Sequence, residues 1–458
     1  MTDAAPRLAA LAETLLGAPL PVRIRAWDGS EAGPATGPTL VIENRRALRR
    51  VLWMPGELGL ARAWVAGDLT VDGDLFEVLD RVAGLLWERE PAEAPATPAP
   101  RTGLGKLTAL RPHLPALASG AAGTAALLRD PVSRAAVREL VALARPWAAP
   151  APPAEEAARR GGQIHSKGRD RQAISHHYDV GNAFYEHVLG PSMVYSCAYW
   201  SPGGTLEEAQ RDKLDLVCRK LGLKEGDRLL DVGCGWGSMA LHAAREYGVR
   251  VTGVTLSREQ AAYARKRIAE EGLTDRIEIR VQDYRDVKDG PYDAISSIGM
   301  AEHVGAERYR EYARTLHALL APGGRLLNHQ IARPPEADEE AYRINEFIDA
   351  YVFPDGELSP VGTTVGELER AGFEVRDVEA LREHYALTLR AWVARLEEHW
   401  EEAVRLTSPG RARVWRLYMA ASALGFEHGR LGVNQILAVR PGGAAASGLP
   451  LRTRTWGA

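Results

Sequence analysis

Residues 227–244 read DRLLDVGCGWGSMALHAA, an apolar strand that runs into Gly233, Gly235 and Gly237 and then into a helix. Three glycines at that junction leave out the side chains that would keep a ligand away from the backbone and from the helix N-terminus. The spacing is G-x-G-x-G, whereas the dinucleotide fingerprint is G-x-G-x-x-G with an acidic ribose ligand about twenty residues on. At that distance this chain has Thr255, Leu256 and Ser257, with no carboxylate. Asp283, after the third strand, can accept a hydrogen bond from an adenine amino group, and Tyr284 offers ring contact.

Outward from the loop the pattern alternates. Strands are expected at RVTGVTLS (250–257), RIEIRVQDY (276–284), YDAISSIGM (292–300) and GRLLNHQIA (324–332), with helices between most of them. FEVRDVEAL (373–381) and VNQILAVRP (433–441) follow, and the second, last in the chain, is placed as an antiparallel edge strand. The fold class is α/β, an open and mostly parallel sheet.

The 458 residues exceed the usual size of one domain. Residues 1–88 read as a smaller α+β domain, with strand-like VRIRAW and TLVIEN and helical RRALRRVLWM. Residues 89–170 combine the Pro/Ala-rich linkers EPAEAPATPAP and WAAPAPPAEEAARRGG with a helical, Arg-bearing insert, read as a connector or as an interfacial helix. Residues 171–442 form the catalytic domain and 443–458 a loose tail.

Composition narrows the function. A net charge of −3 gives no global signature of a nucleic-acid binder. Cys197, Cys218 and Cys234 form no CxxC pair, which argues for free thiols in a reducing cytoplasm and against a metal site. Neither a signal peptide nor a spanning segment is visible, so contact with a membrane is expected to be peripheral, from its inner face. Arg159, Arg160, Lys167, Arg169 and Arg171 make a local basic run that could steer toward anionic headgroups.

The glycine loop with its context resembles the class I methyltransferases (Rossmann-like) that use S-adenosylmethionine (SAM). Four further strings narrow this: SHHYDVGNAFYEHVLGPSMVYSCAYW (175–200), GVTLSREQ (253–260), SIGMAEHVG (297–305) with NHQIARP (328–334), and HYALTLRAW (384–392). Together they resemble the cyclopropane-fatty-acyl-phospholipid synthase family, which includes the mycolic acid cyclopropane synthases. The resemblance implies that Tyr195, Ser196, Gly233, Thr255, Leu256 and Gln260 contact SAM, alongside Gly235, Asp283 and Tyr284 from the loop reading. It also implies that Cys197, Glu302, His329, Ile331 and Tyr385 hold a bicarbonate ion that serves as the base.

Attack of an alkene on a sulfonium methyl leaves a carbocation, so such a site has to be dry and to remove a proton before water intervenes. Tyr195, Tyr199, Phe184 and Phe353 are candidate rings to stabilise that charge. Ile344, Phe347, Ile348, Tyr351 and Phe353 read equally as an acyl-chain cover or as core. The expected substrate is an unsaturated phospholipid acyl chain and the expected product a cyclopropane. A methylene- or methyl-branched chain from the same cation is the alternative, with a flavin or NADPH reductase as partner. A homodimer is left open, and a lipid-binding protein without activity is the reading from another class.

Overall fold

The computed structural model describes residues 3–87, 131–145, 148–157, 168–169, 180–336, 339, 342 and 344–451. The first Pro/Ala-rich linker, most of the insert, the basic run apart from Arg169, the string SHHYD and the last seven residues lie outside these. The chain forms two units, one of residues 1–156 with 409–414, the other of residues 157–408 with 415–458.

In the first unit, β1 (Arg23–Arg25), β2 (Glu31–Ala32), β3 (Thr39–Ile42) and β4 (Leu69–Asp72) form a sheet in the order β2-β1-β3-β4. Its core gathers Ala5, Leu8, Ile24, Ile42 and Ala47 with Leu143 and Ala144. The last two belong to the helix Pro131–Ala144, so this described end of the insert packs within the first unit. Buried Asp68 ties the neighbouring helix down through Arg50 at 2.8 Å.

The second unit holds β5 (Arg228–Val232), β6 (Arg250–Thr255), β7 (Ile277–Val281), β8 (Tyr292–Ile298), β9 (Leu320–Ala332), β10 (Glu374–Ala380) and β11 (Gly432–Val439), in the order β10-β11-β9-β8-β5-β6-β7. Strands β5 to β9 run parallel, which gives the class I methyltransferase sheet.

One expectation is corrected. The last strand is not an edge: β11 lies antiparallel between β9 and β10, and β10 is the edge. The side chains explain it. β11 buries seven consecutive residues, Val433 to Val439, and needs cover on both sides, while β10 carries Glu374, Arg376, Asp377 and Glu379, buries only Asp377 and tolerates an open side.

Two local devices position the site. The helix Leu206–Leu221 begins with a capping box between Thr205 and Glu208 and stops at Gly222 in the left-handed conformation. The loop after β5 takes positive φ at Gly233, Gly235 and Gly237 (77°, 52° and 81°), which L side chains rarely adopt, and Gly237 then opens the helix Ser238–Tyr247.

Candidate active site

At the C-terminal ends of the parallel strands lies a cavity of about 1170 Å³, open mouth included. Tyr195, Ser196, Gly233, Gly235, Thr255, Leu256, Gln260, Asp283 and Tyr284 all border it. Thr255 Oγ1 donates to Gln260 Oε1 at 2.9 Å, and Ser257 caps the helix Arg258–Glu270, so the end of β6 is fixed as one wall. Both Asp283 oxygens are engaged by Arg285, at 2.6 and 2.8 Å, and the Arg285 guanidinium lies 5.6 Å from the Tyr284 ring centre. The Arg285 backbone N–H also donates to Asp283 Oδ1 at 3.0 Å, so the carboxylate expected to meet adenine is fixed in place by a cationic neighbour. Tyr195 lies in an aromatic nest with Tyr185, Trp392 and Trp415, at 5.3 to 5.9 Å between ring centres.

Cys197, Glu302, His329, Ile331 and Tyr385 do not border this cavity. Glu302, on a short turn after β8, accepts the Ile331 N–H at Oε1 (2.7 Å), so that backbone donor is spent on the carboxyl. Its Oε2 is buried with no hydrogen-bond partner among the described residues, and burial pushes the carboxyl up to about 7. His329 and Ile331 alternate along β9 and so share a face. Both His329 ring nitrogens are buried without a partner among the described residues. Burial, with the charges of Lys213 and Lys220, drives the imidazole well below its ordinary value, leaving it neutral. The Leu381 carbonyl joins two more members: it accepts from Cys197 Sγ at 3.6 Å and from the Tyr385 N–H at 3.1 Å. Burial raises the Cys197 thiol, which stays protonated.

Three residues escaped the sequence reading. Gln435 on β11 stands opposite His329 in register, fully buried, with neither amide atom partnered among the described residues. Tyr418 is buried against Phe353 and Trp415 and feels the charge of Glu302. Lys213 is buried on the inner face of its helix and borders the cavity. Among these, Lys213 left a trace in the sequence, because it falls at helical spacing with Ala209, Leu216 and Lys220, all of them buried on that face.

Of the proposed rings, Phe184 is buried against Trp415, Tyr199 stacks on His384 at 4.9 Å, and Phe353 packs on His303 and Tyr418. Phe347 and Tyr351 are buried, whereas Ile344, Ile348 and Phe353 are partly exposed. Cys218 and Cys234 are buried and free.

Residues 165–436 match the family model described as mycolic acid cyclopropane synthetase. A probable fatty acid methyltransferase of Mycobacterium tuberculosis is 41% identical over 444 residues, 94% of each chain. The cyclopropane-fatty-acyl-phospholipid synthase of Escherichia coli strain K12 is 38% identical over 263 residues, 57% of this chain and 66% of that one. A crystal structure of a mycolic acid cyclopropane synthase complexed with SAH and CTAB matches with a TM-score of 0.56 and 33% identity, over 59% of this chain and 98% of the other.

Proposed function

The chain belongs to the cyclopropane synthase family of SAM-dependent C-methyltransferases, and from that premise we propose that it adds the SAM methyl carbon to the cis double bond of an unsaturated phospholipid acyl chain and closes a cyclopropane ring. The observation that carries this reading is the buried group of Glu302 Oε2, both His329 nitrogens and the Gln435 amide, none of them partnered among the described residues. Buried polar atoms need partners, and with His329 opposite Gln435 in register and Glu302 on the backbone of Ile331 two residues on, these suit a small oxyanion. Bicarbonate fits the donor set, and when bound it supplies the base that takes a proton from the added carbon.

The chain's own groups prepare for that. Glu302, near 7 and anchored by Ile331, can present either a donor or an acceptor at Oε2. Neutral His329 offers one of each, while the protonated Cys197 thiol has its one S–H directed at backbone carbonyls. The burial that shifts all three also keeps water from a carbocation. The rings of Tyr195, Trp392 and Tyr385 pack close by and can stabilise positive charge by about 0.5 to 2 kcal/mol each.

A second reading has one observation in its favour: relatives matched along 94% and 95% of their length are named probable fatty acid methyltransferases. In the same cation a 1,2-hydride shift can move the charge onto the methyl-bearing carbon; loss of a proton from the added methyl then gives a methylene-branched chain, and a flavin or NADPH reductase would convert that to a methyl branch. Incubation with SAM, bicarbonate and oleoyl phospholipid vesicles, followed by mass spectrometry and proton NMR of the acyl methyl esters, tests both. Upfield cyclopropane protons are expected. Vinylidene protons at the same mass would establish the second reading, and no product on any unsaturated phospholipid would overturn both.

A further inference from the structure

Lys213 is 1% exposed, yet it borders the cavity beside the glycine loop. Its ammonium donates to Ser196 Oγ at 2.9 Å and forms no ion pair among the described residues. The carboxylate that faces it, Asp231, borders the same cavity; one oxygen accepts from Ser296 at 2.7 Å and the other is buried without a partner among the described residues. Burial holds Lys213 down to about 8 and Asp231 up to about 6, each partly opposed by the other's charge. A buried cation and a buried carboxylate held apart are costly unless something joins them.

The methionyl end of SAM is a zwitterion, an α-carboxylate beside an α-ammonium, and so complements a wall of this kind. We propose that Lys213 binds the α-carboxylate of SAM, with Ser196 held alongside as its hydrogen-bonded neighbour, an inference that rests on the SAM-dependent reading above. Bicarbonate carries the same carboxylate chemistry, and Lys213 also faces Cys197. The methionyl group is favoured because Lys213 and Ser196 border the cavity of the glycine loop, whereas Cys197, Glu302, His329, Ile331 and Tyr385 do not.

The test compares SAH with its decarboxylated analogue, which keeps the adenosine, thioether and amine, by calorimetry on the full chain. Wild type is expected to prefer SAH. Lys213→Met is expected to reduce that preference at least about tenfold, the size of a lost charge-assisted hydrogen bond. Lys213→Arg is expected to retain most of it, and the affinity of Lys213→Met for the analogue reports that the variant has folded. An unchanged preference in Lys213→Met, or equal loss of both ligands, overturns the inference. So does an unchanged preference accompanied by a raised bicarbonate requirement for turnover, which would assign Lys213 to that anion. Failure of wild type to bind SAH would instead overturn the SAM-dependent reading itself.

Discussion

Glu302 owes its behaviour to burial that outweighs its hydrogen bond from the Ile331 N–H. Its carboxyl is raised from 4.5 to about 7, so between those values the unfolded chain releases a proton that the folded chain retains. Stability from this group is therefore full below about pH 4.5 and is lost as pH rises through about 7, a change on the order of 3 kcal/mol. Glu302→Gln is expected to flatten that part of a melting-temperature profile, to leave SAH affinity within about threefold of wild type, and to abolish turnover. Full activity in the variant would remove Glu302 from the chemistry. The candidate cofactor residues were legible because glycines at a strand end and a short polar run after the next strand are local patterns. Lys213 left no more than its helical spacing, because a lysine on a helix reads as a solvated surface charge until its face is known.

Between elements, contact distances explain one small residue. Gly253 sits in β6 beside the glycine loop, and a Cβ there would stand 2.7 Å from Ile279 Cδ1 and 3.0 Å from both Cys234 Cβ and Sγ. The loop can lie against β6 only because that position carries no side chain. Gly253→Ala is expected to cost ~1–3 kcal/mol of stability by overpacking. Displacement of Cys234 should also weaken SAH binding, so calorimetry and a denaturant titration together check the idea. Unchanged SAH affinity would mean that the loop tolerates the shift. The run of parallel strands was legible for the same reason as the loop, since each strand and helix announces itself over a few residues. The place of β11 was not. Its pairing with β9 spans about a hundred residues, and only its unbroken burial, compared with the charges on β10, decides which of the two lies inside.

Across the whole molecule, charge is nearly balanced, with 57 Lys and Arg against 60 Asp and Glu, and no described helix is long and apolar enough to cross a membrane. Any attraction to anionic lipid is then local. Arg169 is unsuited to that task, because its guanidinium is held by both Asp355 oxygens, at 2.6 and 2.7 Å. Neutralising Arg159, Arg160 and Lys167 together is expected to weaken binding to anionic vesicles at low salt, by about 1 kcal/mol per residue. Arg169→Gln is expected to lower the melting temperature instead. Sedimentation with vesicles reads the first effect, and equal binding by the triple variant would exclude this basic run as the docking element.

The interior position of β11 also sets an order of events in time. During synthesis β5 to β10 emerge first, and β9 waits with one side unpaired until residues 432–439 have followed. His329 then meets Gln435, its neighbour in register, at the last step of sheet assembly. A nascent chain thus lacks one side of the buried polar pair His329–Gln435 until the whole sheet is made, and its longest strand is meanwhile an open edge that invites pairing with other chains.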